Sequence, residues 1–199
     1  RDRLTRHCVR AGLAGLEFGA GIPGTIGGWV AMNAGIGTRE VKDVVAEIEV
    51  QVPGEDAPRR LAPSDVEFRY RELRGTAPGS VVVGATFRVE PSTPEAVKAR
   101  VDTLLARRAA TQPLDVPSCG SVFKNPPGDF AGRLIEASGL KGERVGGAQI
   151  SDVHANFIVN RGGATAADVL ALIERARERV ARVAGVTLET EVRIVGRNG

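Results

Sequence analysis

Residues 117–126 read Pro-Ser-Cys-Gly-Ser-Val-Phe-Lys-Asn-Pro and gather a hydroxyl at Ser121, a thiol at Cys119, an amine at Lys124 and an amide at Asn125. Pro117, Pro126 and Pro127 each lack a backbone donor and restrict the residue before them, so this segment is extended or turning and holds its polar side chains at set positions. Alternation along an extended segment would put Cys119 and Ser121 on one side, two groups able to carry a proton. Cysteine is also often a small buried hydrophobe, and Gly-Ser and Asn-Pro are ordinary turn vocabulary, so the segment alone leaves both readings open.

A second candidate is residues 15–28, Gly-Leu-Glu-Phe-Gly-Ala-Gly-Ile-Pro-Gly-Thr-Ile-Gly-Gly, with six glycines in fourteen positions. That density does not suit the interior of a helix or strand. Glycines let the backbone approach a ligand closely, so that N–H groups can converge on an anion or on the edge of a flat ring. No Gly-Lys-Ser/Thr follows and no strand precedes the Gly-x-Gly spacing, which argues against a phosphate loop and a dinucleotide fingerprint. A glycine-rich turn cluster between elements is the plainer alternative. Residues 33–37, Asn-Ala-Gly-Ile-Gly, form another loop of close approach.

The elements that must position these residues follow from periodicity. Residues 2–14 suggest a short helix carrying Leu4, Val9 and Leu13. Residues 43–52 alternate as a half-buried strand, with Val44, Ala46, Ile48, Val50 and Val52 on one face, then turn at residues 53–56 and return near residues 59–61. Residues 80–90 predict a second strand with Val81, Val83, Ala85, Phe87 and Val89 inward; between the two strands lies the only tyrosine, Tyr70, followed by Arg71. A helix is expected after Pro94 to about Ala110, buried through Val97, Val101, Leu104 and Leu105. Residues 129–138 suggest a short helix capped by Asp129 and stopped by Gly139, and residues 155–160 a short buried strand. Thr165, with Asp168 three residues on, opens a helix with the stripe Val169, Leu172, Ile173, Ala176, Val180 and Val183, ending at Gly185. Residues 187–195 alternate again, with Leu188, Thr190, Val192 and Ile194 on one face and Glu189, Glu191, Arg193 and Val195 on the other. A charged residue such as Glu191 or Arg71 is by itself most often solvated. The expected fold class is α+β, with a β-rich part over residues 1–110, an α+β part over 111–185 and a closing strand over 186–199.

The bulk properties narrow the function. With 199 residues, 42% of them apolar, the chain can build a core. No run of about 18 apolar residues occurs and no basic segment leads into an apolar one at the start, so the chain reads as soluble, cytoplasmic and without membrane insertion. Cys8 and Cys119 are far apart, and with His7 and His154 as the only histidines neither a disulfide scaffold nor a metal site is expected. A net charge of +3 with interspersed signs and only 4% aromatic residues argues against nucleic acid and suits an anionic small molecule such as a nucleotide diphosphate. No obligate protein partner is indicated. The opening Arg-Asp-Arg, without Met, reads as the start of a piece of a longer chain.

Several of these segments together resemble one family. Gly21-Ile22-Pro23-Gly24-Thr25-Ile26-Gly27-Gly28 followed by Met32-Asn33-Ala34-Gly35, then Tyr70-Arg71, Gly120-Ser121-Val122-Phe123-Lys124-Asn125-Pro126 and Leu188-Glu189-Thr190-Glu191-Val192-Arg193 are similar, in this order, to the motifs of the UDP-N-acetylenolpyruvoylglucosamine reductase (MurB) family. Residues 131–136, 139–142 and 154–157 fit the same text. The resemblance implies the second lobe of a PCMH/VAO-type FAD-binding domain followed by a substrate-binding domain, of the family's second type. It also implies an enzyme of peptidoglycan precursor synthesis that uses NADPH to reduce FAD and passes hydride to UDP-N-acetylglucosamine enolpyruvate, giving UDP-N-acetylmuramate.

By the same resemblance Ser121 gives the proton while Arg71 and Glu191 stabilise charge. Ile22, Pro23, Gly24, Thr25, Gly27, Gly28, Asn33, Ala34 and Gly35 would contact FAD, and Tyr70, Lys124, Asn125 and His154 the substrate. A solvated Lys124 and a hydrogen-bonded core His154 are the plainer alternatives. Leu73 stands where the family usually has Ser. The family's first FAD-binding lobe would precede Arg1, so the chain alone is expected to hold FAD weakly and to be inactive. A non-catalytic nucleotide-sugar-binding fragment of the same fold is the alternative.

Overall fold

Turn residues punctuate the chain so often that most of its elements are short. The computed structural model describes residues 3–196 and falls into two units, one ending at Arg107 and the other starting at Arg108. In the first, α1 (Arg3–Ala11) leads to β1 (Leu13–Ala14), and α2 (Ile26–Ala31) follows the glycine-rich stretch. Next come β2 (Gly35–Ile36), β3 (Arg39–Glu40), β4 (Val45–Gln51), β5 (Arg59–Leu61), the hairpin β6 (Glu67–Arg69) and β7 (Glu72–Arg74), β8 (Val81–Phe87) and β9 (Glu90–Pro91). The long helix α3 (Pro94–Thr111) carries the chain into the second unit. β4 lies between β5 and β8, antiparallel to both, and its Val45, Ile48 and Val50 join Leu16, Phe18, Trp29, Val30 and Val41 in the core.

Alternation read from sequence fails on β8. Val81 and Val83, expected inward, are 59% and 53% exposed. Glu49 pairs with Gly84 but Val50 pairs with Val82, so Val83 is an extra residue on its strand. One inserted residue shifts the two-residue period by a step and sends Val82 to the core instead. A matching insertion at Ala46, between the pairs Val45–Phe87 and Glu47–Thr86, puts Val45 rather than Ala46 in the interior. On α3, Val97 and Val101 are buried as expected, but Leu105 is 41% exposed.

The glycine-rich stretch is not all loop. Thr25 caps α2 by accepting the Gly28 N–H at 3.1 Å, so Gly27 and Gly28 lie within a helix. Gly27 is there for contact rather than for freedom: a Cβ on it would lie 2.1 Å from the Val82 carbonyl oxygen, which means the helix backbone rests on β8.

The second unit holds β10 (Ser118–Ser121), α4 (Ala131–Ala137), β11 (Arg144–Val145), β12 (Ala148–Ile150), β13 (Phe157–Asn160) and α5 (Ala166–Ala184). The four strands form one antiparallel sheet in the order β10-β13-β12-β11. Thr165 and Asp168 close a reciprocal capping box on α5, and Gly185 ends it in the left-handed conformation at φ +68°. Leu172, Ile173, Ala176 and Val180 pack with Val122, Phe123, Leu134, Ile135, Leu140 and Ile158, while Val183, expected on that stripe, is 57% exposed.

The strand expected over residues 187–195 does not form. Thr190 makes one isolated bridge to Phe123, Leu188 is buried, and Ile194 and Val195 are 66% and 89% exposed. The ladder stops on either side of this bridge: Val122 gives its N–H to the Asn156 carbonyl instead of to the closing segment, and Pro126 and Pro127 follow without donors. The tail of the expected closing strand, residues 197–199, lies outside the described residues.

Packing of α2 on β8 makes a paired prediction. Gly27→Ala should lower unfolding free energy by about 1–3 kcal/mol through overpacking. Gly28→Ala, whose Cβ would meet only the Thr25 hydroxyl at 3.4 Å, should be neutral or stabilising by up to ~1 kcal/mol from helix propensity. Urea unfolding followed by circular dichroism would read both, and equal effects would show that α2 does not rest on β8.

Candidate active site

Ser121 ends β10 and pairs with Phe157 across the sheet. Between the pairs Ser118–Val159 and Ser121–Phe157 the register slips by one residue, and Gly120 sits at φ +82°, a conformation that favours glycine. The bulge breaks the alternation expected to set Cys119 and Ser121 on one side. Cys119 is exposed over its surface as a whole, yet desolvation of its sulfur raises the thiol above its ordinary pKa of 9.0. It is a poorer acid for that.

Beyond Ser121 the backbone is held by one side chain. Asn156, 4% exposed, accepts the Phe123 N–H at 2.9 Å through Oδ1 and donates to the Phe123 carbonyl at 2.8 Å through Nδ2. Its own carbonyl accepts the Val122 N–H at 2.9 Å. Reading the sequence missed this residue; the available signal was an amide inside the apolar run Ala155-Asn156-Phe157-Ile158-Val159. On its other side, the Val122 carbonyl accepts the N–H groups of Glu191 at 2.8 Å and Val192 at 3.3 Å. Ser121 and Glu191, far apart in sequence and both half-buried, thus flank the same peptide unit.

The neighbouring polar residues have uses of their own. Lys124 donates its N–H to the Glu189 carbonyl at 2.8 Å and pairs through Nζ with the Glu189 carboxylate, so it locks the closing segment to the Ser121 loop. Asn125 Oδ1 accepts the Ala131 N–H at 3.0 Å and so satisfies the start of α4. Asp129, expected as that cap, instead accepts from the Phe130 N–H at 2.7 Å, and Arg133 holds its carboxyl down to about 2. His154 accepts the Asn156 N–H through Nδ1 at 3.2 Å and meets the Phe157 ring edge-on at 5.0 Å. A Cβ on Gly132 would come within 2.9 Å of its Cε1. Burial pushes the His154 pKa below 6.5, which leaves a neutral imidazole with Nε2 as its donor.

Arg71 belongs to the first unit, where it is the second residue of the two-residue turn joining β6 to β7. Its φ of +59° is one of two positive values at non-glycine residues among those described, the other being Asn33 at +39°. The guanidinium stacks 4.7 Å from the Tyr70 ring centroid, with Tyr70 41% exposed. Leu73, on β7, packs against the core of its unit.

The nine residues expected at a flavin divide into two groups. Pro23, Gly24, Thr25 and Gly28 are exposed and Ile22 is half-buried; Gly24, at φ +109°, has nothing within 4 Å of where a Cβ would lie. This open backbone fits the edge of a flat ring. Gly27, Asn33, Ala34 and Gly35 serve the fold itself: a Cβ on Gly35 would lie 2.2 Å from the Arg39 carbonyl oxygen, the Ala34 N–H donates to Trp29 at 2.8 Å, and Asn33 is fully buried.

Comparison with known proteins follows the same lines. Residues 112–195 match the family model described as UDP-N-acetylenolpyruvoylglucosamine reductase, C-terminal domain. A UDP-N-acetylenolpyruvoylglucosamine reductase of Alkalilimnicola ehrlichii is 55% identical over 194 residues, covering 98% of this chain and 64% of the relative. That of Geobacter metallireducens is 53% identical over 185 residues, covering 93% and 61%. The chain therefore spans a little over three fifths of the length of these relatives. The crystal structure of UDP-N-acetylenolpyruvylglucosamine reductase (MurB) from Thermus caldophilus superposes with a TM-score of 0.83 at 39% identity, over 96% of this chain and 67% of that one. An α+β chain with this fold and this degree of identity is a member of the UDP-N-acetylenolpyruvoylglucosamine reductase family.

Proposed function

We propose that this chain supplies the reducing site of an NADPH-dependent flavoenzyme that converts UDP-N-acetylglucosamine enolpyruvate to UDP-N-acetylmuramate in the cytoplasm. The observation that carries the reading is the Val122 peptide, whose carbonyl ties the Glu191 backbone beside Ser121. FAD, reduced by NADPH, would supply the hydride. The exposed backbone of Ile22, Pro23, Gly24, Thr25 and Gly28 would hold it, with Gly27, Asn33, Ala34 and Gly35 shaping that backbone from beneath.

Hydride addition to a vinyl ether that bears a carboxylate loads negative charge on the carbon next to the carboxylate. Groups that meet this charge favour the transition state over the ground state. Arg71 would carry positive charge to it, and Glu191 would meet it as a hydrogen-bonding partner. Ser121 would place a proton from its Oγ on that carbon and recover one from solvent. A hydroxyl is a weak acid in water, but a carbanion-like carbon at contact distance is a strong enough base to take its proton. Tyr70 fits the role of an exposed ring beside the substrate. Lys124 and Asn125 would act mainly by holding the Ser121 loop, and His154 by packing as a neutral ring.

Two measurements test this. In FAD-loaded full-length protein containing this chain, Ser121→Ala should slow reoxidation of the reduced flavin by the enolpyruvyl nucleotide by about 10²–10⁴-fold, while flavin reduction by NADPH is unchanged. A loss under tenfold would remove Ser121 as the proton donor. Because the folded pKa of His154 lies below its ordinary 6.5, the unfolded chain binds its proton first as pH falls. The stability that His154 contributes should thus be full above pH 6.5 and lost as pH falls through its folded pKa. An NMR titration midpoint at or above 6.5 would overturn the buried, neutral assignment.

A further inference from the structure

The tip and the backbone of Arg71 are both referred to one buried amide. Asn33 uses Nδ2 twice, donating to the Arg69 carbonyl at 3.0 Å and to Glu40 Oε2 at 2.9 Å, while its Oδ1 accepts the Lys42 N–H at 3.0 Å. Arg69 directly precedes the Tyr70-Arg71 turn, so the first bond fixes where the turn begins. The second fixes Glu40, whose side chain is 16% exposed. Glu40 is further tied by Lys42 Nζ at 2.8 Å, and its backbone N–H donates to Asp43 Oδ2 at 2.8 Å. Glu40 Oε1 stands 3.9 Å from Arg71 Nη1, and Arg71 Nη2 donates to the Gly35 carbonyl at 3.4 Å.

A carboxylate held by a buried amide and a lysine has little freedom, and the arginine beside it is long and flexible. Arginine carries roughly 2 kcal/mol of rotamer entropy, part of which must be lost before the guanidinium can face one atom of a substrate. At 3.9 Å the Glu40 contact is an ion pair rather than a hydrogen bond, and Lys42 shares the same carboxylate. Glu40 can therefore orient the guanidinium without a hydrogen bond to it.

We propose that Glu40, anchored by Asn33, is a positioning residue for Arg71 and sets the direction in which its guanidinium meets the anionic substrate carbon. This rests on the charge-stabilising role given to Arg71 above. The test is a double-variant cycle in FAD-loaded full-length protein containing this chain, with Glu40→Gln, Arg71→Ala and both together, following flavin reduction by NADPH and flavin reoxidation by the enolpyruvyl nucleotide separately. Glu40→Gln should slow reoxidation by about 10- to 100-fold, the scale of a misplaced catalytic group, and leave the NADPH step unchanged. On the Arg71→Ala background it should add less than about twofold, because the group it acts through is gone. The Arg71 Nε–H resonance should be sharp in the parent protein and broaden in Glu40→Gln.

Equal slowing of both half-reactions by Glu40→Gln, or its full effect persisting without Arg71, would overturn the proposal. If Arg71→Ala slows reoxidation and Glu40→Gln does not, positioning fails alone. If Arg71→Ala leaves reoxidation unchanged, the role of Arg71 fails and the proposal with it. Should Glu40→Gln not fold, Glu40→Asp keeps the charge but shortens the reach and must show the same split between the two half-reactions.

Discussion

The second unit depends on a side chain that imitates a strand. Asn156 offers one acceptor and one donor to the two backbone groups of Phe123, the same pairing a neighbouring peptide would offer, while its own carbonyl takes the Val122 N–H. Buried backbone groups left unpaired would each lose about 1–3 kcal/mol, so the amide can hardly be replaced by an apolar residue of similar shape. Asn156 thus holds the chain beyond β10 from the β13 side, and the opposite edge, with the Val122 carbonyl, is left to the closing segment. The end of a sheet thereby becomes a loop with Ser121 on one side and Glu191 on the other.

The first unit uses asparagine in a similar way. Asn33, fully buried at φ +39°, ties a turn of one ladder to the start of another. Two separate loops that carry polar groups of interest are thus each held from beneath by an amide whose hydrogen-bonding capacity is used internally. Loops fixed by such buried bonds keep their side chains in place better than loops held only by apolar contact.

What could be read in the sequence depended on whether a feature was periodic or pairwise. The helix at Thr165 was legible to its caps because its signals are local: a capping box, a stripe and a left-handed glycine. The presence of β4 and its return at Arg59–Leu61 were legible for the same reason, though the insertion at Ala46 was not. The inward face of β8 was not, since the extra residue at Val83 leaves no mark in the alternation and is defined only by its partner strand. The closing segment alternates as a strand should, but Val122 gives its N–H to the Asn156 carbonyl and Pro126 has none to give, and no inspection of residues 187–195 could reveal that. Of the proposed site, Ser121, Arg71 and Glu191 were singled out only by the resemblance of their segments to the family's motifs. Asn156, Glu40 and the structural work of Asn33 appeared only once the side chains could be followed to their partners.

The insertion at Val83 bears on solubility. β8 is an outer strand of its three-stranded sheet, and it carries β-branched valines at Val81 and Val83 that are more than half exposed. A straight outer strand of that composition invites edge-to-edge pairing between copies and fibre growth. The local kink interrupts the even spacing of free backbone groups that such growth requires, so the irregularity that hid this strand's orientation also guards the protein against self-templated aggregation.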